Sequence, residues 1–211
     1  MSGTFPRRAR PVTGPALACL LASATLPSLS GAQSLPEAAQ AIQQMIDTGQ
    51  GPQAVAAARQ FLRQVTGQVG FGVTNAQLTV TPAEGFGMFQ PRPNNIFALG
   101  EPVYAYVEVY GFSMSQLTNG ANRLLFDVSF TLESPQGQQM TDSLIPMGEV
   151  QLDSFSSPVD GFFHLTYRIN GAVGDYVLRT LVVDRATGQR AEFRLPVIFA
   201  DPVSPENMAE K

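Results

Sequence analysis

The chain has 211 residues, a formal net charge of −4, one histidine, one cysteine and no tryptophan. A lone histidine excludes a multi-histidine metal site, and a lone cysteine excludes a disulfide framework. The acidic balance excludes the basic footprint of a nucleic-acid-binding surface, and the length suits one domain with an appendage.

Residues 1–32 read as a secretory signal peptide. Arg7, Arg8 and Arg10 form a basic start with no acid nearby; Ala16 to Leu29 is a short apolar run. Ser30-Gly31-Ala32 places small residues where a signal peptidase cuts, so the exported chain is expected to begin at Gln33. The run is too short for a membrane span, which needs about 20 apolar residues, and no later stretch is longer, so no transmembrane anchor is expected. Cys19 lacks the preceding apolar run of a lipoprotein leader, and Ala9-Arg10-Pro11 after the arginine pair does not fit a twin-arginine signal. The expected location is the periplasm or the exterior. All 17 acidic residues follow the leader, where excess acid serves solubility.

A helical pattern follows over 33–67. Leu35, Ala38, Ala39, Ile42, Met45 and Ile46 fall at i, i+3, i+4, i+7 spacing, with Ser34 as cap, Pro36 in the first turn and Glu37 completing a capping box. Gly49-Gln50-Gly51-Pro52 breaks the run. Val55, Ala58, Phe61, Leu62 and Val65 then mark one face of a second helix. Neither helix is stable alone, so both stripes must bury against something. The expected partner is the domain that follows, over Tyr104 and Tyr106; self-association or a foreign partner is the alternative.

From Gly67 the period becomes two, over a β-domain spanning 68–202. Leu78–Thr81 opens it. Val103, Ala105, Val107 and Val109 alternate with Tyr104, Tyr106, Glu108 and Tyr110. Phe126–Glu133 and Phe163–Ile169 alternate likewise, and strands at Tyr176–Val182 and Phe193–Phe199 complete the set. Ser134–Gly137, Asp160-Gly161, Asn170-Gly171 and Arg185–Gly188 read as turns. Residues 203–211 read as a flexible tail. The fold class expected is mainly β: an antiparallel immunoglobulin-like β-sandwich with an N-terminal two-helix segment.

Gly174-Asp175-Tyr176 before a long apolar strand resembles the tyrosine corner of immunoglobulin-like and fibronectin III-like domains. The resemblance implies a buried Tyr176 whose hydroxyl bonds nearby backbone. Gly85–Arg92 together with Phe97–Glu108 resembles exported bacterial β-sandwich proteins of unassigned function. It carries no catalytic residue over. The missing tryptophan departs from many immunoglobulin-like cores.

Chemistry-bearing residues are sparse. His164, the single histidine, faces away from Phe163 and Leu165 by alternation, reads as a surface or inter-element residue, and argues against a catalytic triad and a multi-histidine metal site. Gly70-Phe71-Gly72 and Gly85-Phe86-Gly87 lack the third glycine of a dinucleotide fingerprint. Glu101 and Glu108 fall on opposite faces of one strand; Asp153 and Asp160 flank a serine-rich loop too poor in oxygen ligands for calcium. No catalytic residue, metal site or cofactor is expected. Two features remain as a possible interaction surface: the stripe Tyr104, Tyr106, Tyr110, and the irregular segment holding Phe86, Phe89 and Arg92. Each is also readable as a structural element, the segment as a plug over an open end of the sandwich. The function expected is a non-enzymatic binding or interaction module of the cell envelope, with an envelope protein or polysaccharide as partner. The alternative is a carbohydrate-active enzyme or its sugar-binding accessory, which would gather exposed acids and aromatics in one groove.

Overall fold

The computed structural model describes residues 34–200; the leader with Cys19 and its cleavage site, and the tail at 203–211, lie outside them. Helix α1 (Leu35–Asp47) starts as its sequence requires: the Ser34 backbone N–H donates to Glu37 Oε2 at 3.0 Å, and Pro36 occupies the first turn. That bond holds the Glu37 carboxyl below its ordinary pKa. The helix ends in a Schellman motif. Gln50 N–H donates to Met45 O at 2.8 Å and Gly49 N–H to Ile46 O at 3.0 Å, with Gly49 at φ +72. Only glycine takes that conformation without strain, so the chain reverses there at little cost. Helix α2 (Gly51–Val69) begins at once on Pro52 and runs past the predicted limit, through Gly67.

Nine strands follow: β1 (Gly72–Thr79), β2 (Ile96–Ala98), β3 (Val103–Tyr110), β4 (Ser115–Gln116), β5 (Asn122–Glu133), β6 (Ile145–Ser154), β7 (Asp160–Tyr167), β8 (Gly174–Asp184) and β9 (Arg190–Ala200). One sheet has the order β1-β3-β7. The other runs β2-β9-β8-β5, with β6 along the outer edge of β5 and the short β4 continuing the line of β8. All pairings are antiparallel except β2 with β9. The protein is therefore mainly β with two N-terminal helices, its sheets curled as a half-barrel around one core.

The period-two reading holds where one face is buried. Val103, Ala105, Val107 and Val109 of β3, Phe126, Val128, Phe130 and Leu132 of β5, and Phe163, Leu165 and Tyr167 of β7 all enter the core, while His164 is exposed. Asp160-Gly161 is not a turn but the start of β7, paired with Tyr110 and Val109. Strand β6 was not legible: it is an edge strand, half-buried at best, carrying Pro146 and Gly148, and a bulge opposite Val128–Ser129 breaks its register. Edge strands need no apolar alternation, so the pattern that reveals a strand is missing there.

One tyrosine expectation changes. Tyr176 does donate its hydroxyl to backbone, Val173 O at 3.2 Å, but it is half-buried at the sheet end beside Phe199. Tyr167, by contrast, is fully buried, and its hydroxyl shares a 2.7 Å hydrogen bond with Thr180 Oγ1 between the two sheets. Burial pushes its phenol well above the ordinary tyrosine pKa, partly offset by Thr180.

The helices do not lie over the tyrosine face. No helical residue enters the β core, and α1 and α2 pack chiefly on each other, burying only Ala38 and Ala54. Contact with the β-domain is made near the end of α2. There Arg63 Nη1 donates to Ser157 O at 3.1 Å, and beyond the helix Phe71 N–H donates to Gln189 Oε1 at 2.8 Å. Gly111, at φ +67, lies so close to the Gly70 carbonyl that any Cβ would clash with it, which sets the hairpin's exit from the β-domain.

Candidate functional site

The six predicted surface residues do not form one surface. Tyr106 is wholly buried, yet it points to the outer face of the β1-β3-β7 sheet. What covers it is the segment after β1. Val80 N–H donates to Gln90 O at 3.0 Å and Arg92 N–H to Leu78 O at 2.9 Å, so this segment folds back along β1 as a hairpin. Its arm lays Phe89 on the Tyr106 ring at 4.2 Å, and Phe162 stacks at 5.8 Å. The Tyr106 hydroxyl accepts Gly87 N–H at 2.8 Å and donates to Glu108 Oε1 at 2.7 Å. Burial, then the Glu108 carboxylate, push its phenol up to about 12. Phe86 sits at the rim, half exposed, with its ring edge-on to Phe162 at 6.0 Å. The plug reading fits this hairpin, although it covers a sheet face rather than an open end.

Tyr104 is half-buried on the same face. Tyr110 is too, and its ring lies across Gly72, where any Cβ would clash with the phenol. Arg92 is a brace. It donates to Glu101 Oε1 at 2.8 Å and Ile96 O at 2.7 Å, with its guanidinium 4.0 Å over the buried Phe97 ring. Glu101 Oε2 also accepts Ala98 N–H at 2.9 Å. Burial raises the Glu101 pKa, but the Ala98 N–H and Arg92 outweigh it and hold the carboxyl below its ordinary value.

This gives a pH prediction. A carboxylate with a lowered folded pKa stabilises the fold above its unfolded pKa, about 4.3, and that contribution is lost as the pH falls through the folded value. Glu192, held down mainly by its paired hydrogen bonds from Arg179, has the same sign. The urea midpoint is expected to fall between pH 6 and pH 3, and Arg92→Gln to flatten part of that fall. An unchanged slope in the variant would mean that the Arg92–Glu101 pair contributes no net stability.

The remaining acids are dispersed. Arg123 holds Asp153 by two 2.8 Å bonds and lowers its pKa, Glu108 is engaged by Tyr106, and Asp160 opens β7. Among the described residues no three His, Cys, Asp or Glu side chains cluster as metal ligands, and no helix is long and apolar enough to cross a membrane.

Exposed large apolar side chains are scattered over strands and loops, Phe155 the most open of them, but four lie on the helical hairpin. Ile46 and Val55 are each 56% exposed, and Leu62 and Val69 are also open. Ile42, Ile46, Ala54, Val55 and Ala58 line a shallow groove of about 360 Å³ between α1 and α2. The helical periodicity revealed these stripes; nothing in it told what would cover them. A second feature had no sequence signal beyond two arginines four residues apart. Arg59 and Arg63 face the β6–β7 loop across a cleft of about 490 Å³.

No protein family and no curated protein matches the chain. Solved structures resemble parts of it. A calcium-binding mutant of Bacteroides uniformis beta-glucuronidase 2 is 10% identical over 62% of this chain and 14% of its own, with a TM-score of 0.35. The sporulation control protein Spo0M of Bacillus subtilis is 12% identical over 62% of this chain and 49% of its own, at 0.32. The alkylpurine DNA glycosylase AlkC of Pseudomonas fluorescens is 13% identical over 71% of this chain and 38% of its own, at 0.34. The chain spans less than half the length of each, and similarity this low assigns neither a shared fold nor an activity.

Proposed function

We propose that the chain is an exported, non-enzymatic interaction module of the cell envelope, built on an immunoglobulin-like sandwich and engaging its partner through the α1–α2 hairpin. Its leader-like first 32 residues support export. The strand order supports the sandwich reading. β1-β3-β7 corresponds to strands A-B-E of immunoglobulin-like domains, and β9-β8-β5 to G-F-C, with β6 placed as C′. Tyr176, bonding backbone just upstream at the start of the F-equivalent strand, sits where a tyrosine corner would.

The observation that carries the function is the exposed stripe Ile46, Val55, Leu62 on a hairpin that buries almost nothing of its own. Short helices owe their stability to an apolar face packed against something, and a contiguous exposed apolar face marks an interaction surface. The test places a photo-crosslinking residue at Val55 in the full chain, exported with its own leader. Gln53, exposed on the opposite side of α2, serves as the control position. A discrete adduct from position 55, absent from position 53 and lost when Leu62→Glu is added, is the expected result. Equal adducts from both positions, or none from either, would remove the hairpin as the interaction element.

A further inference from the structure

We propose that the cleft between α2 and the β6–β7 loop binds the carboxylate or phosphate group of a small anionic ligand. Arg59 and Arg63 are one helical turn apart on one side of α2, so their guanidinium groups reach the same space. Ser156, Ser157, Pro158 and Val159 form the opposite wall. The cleft, about 490 Å³, continues past Arg63 into a second cavity of about 260 Å³ that shares Arg63, Pro158 and Val159 with the first. These volumes fit a sugar- or nucleotide-sized molecule.

Two unpaired arginines line this one cleft. Of the others among the described residues, Arg92, Arg123, Arg179, Arg185 and Arg194 are each ion-paired, and Arg168 and Arg190, which have no ion pair, do not line it. Arg59 and Arg63 have no ion-pair partner among the described residues, and the one acid lining the cleft, Asp160, is paired with neither. Two guanidinium groups against one carboxylate leave a net positive cleft in an acidic chain. Arg63 is also held in place. Its Nε and Nη2 donate to Gln60 Oε1 at 3.2 and 3.0 Å, and its Nη1 donates to Ser157 O at 3.1 Å. Three of its five N–H groups are thereby used, and one on each Nη remains for a ligand oxygen. A guanidinium already fixed by the protein loses less freedom on binding, and its planar fork suits an anionic oxygen pair.

Titration of the full chain, followed by amide and arginine Nε–H nuclear magnetic resonance signals, tests the site. The probes are inorganic phosphate, glucuronate and neutral glucose. Saturable shifts centred on Arg59, Arg63 and Ser157, with phosphate or glucuronate and not with glucose, are expected; the two anions report which group is preferred. Arg59→Gln and Arg63→Gln should each weaken binding about tenfold, as loss of a charge-assisted contact does, while Arg168→Gln, at the far end of β7, should not. Glucose shifting the same signals as strongly, no saturation with either anion up to about 100 mM, or unchanged affinity in both cleft variants would each overturn the proposal. The two tests have separate readouts, a protein adduct at Val55 and small-anion shifts at the cleft, so failure here leaves the hairpin reading standing, and the reverse.

Discussion

Phe126→Ala is expected to destabilise the protein by about 3–5 kcal/mol, the usual cost of removing a phenyl ring from a packed core. Phe126 is fully buried, with Phe71 stacked at 5.5 Å, Phe163 at 5.9 Å and Phe112 edge-on at 6.2 Å. The four rings come from the entry to β1, the loop after β3, and strands β5 and β7, so they tie both sheets to the point where the hairpin leaves. Neighbours drawn from separate elements cannot all close in on the space left behind, which keeps the cost at the upper end. Denaturant unfolding, read as a shift in midpoint at constant slope, measures it. A loss under about 1 kcal/mol would mean that the two sheets do not share this core.

Tyr167→Phe is expected to cost about 1–3 kcal/mol although it removes a single oxygen. The Tyr167 hydroxyl and Thr180 Oγ1 partner each other where both residues are 0% exposed, so deleting one leaves the other buried and unpaired. Thr180→Val is expected to cost a similar amount. The double variant should lose less than the two singles together, since it leaves neither polar group stranded. Strict additivity in that cycle would show that water already reaches the pair.

Much of the architecture was legible because it is written in local period. The i, i+3, i+4 spacing of Leu35–Ile46, the break at Gly49–Pro52 and the alternation of Val103–Val109 each placed an element correctly. The signal failed where burial on one face is weak or comes from elsewhere. Strand β6 is recruited by the hydrogen-bonding edge of β5 and needs no apolar alternation of its own. Tyr106 reads as an outward residue and is one, but Phe89 and Gly87 close over it from a segment with no period at all.

The candidate sites divide along the same line. Sequence alone determined which residues are apolar on which side of each helix and strand, because side-chain direction follows from backbone geometry one or two residues away. It determined, too, that one histidine and one cysteine cannot make a multi-histidine metal site or an internal disulfide. Only the tertiary structure decided which faces are covered. Covering depends on contacts between segments distant in the chain, where loop closure, edge pairing and close approaches such as Gly111 on Gly70 select one packing among several that the local pattern permits equally. That selection buries Tyr106 under its own hairpin, leaves Val55 and Leu62 open, and brings Arg63 to Ser157 from 94 residues away.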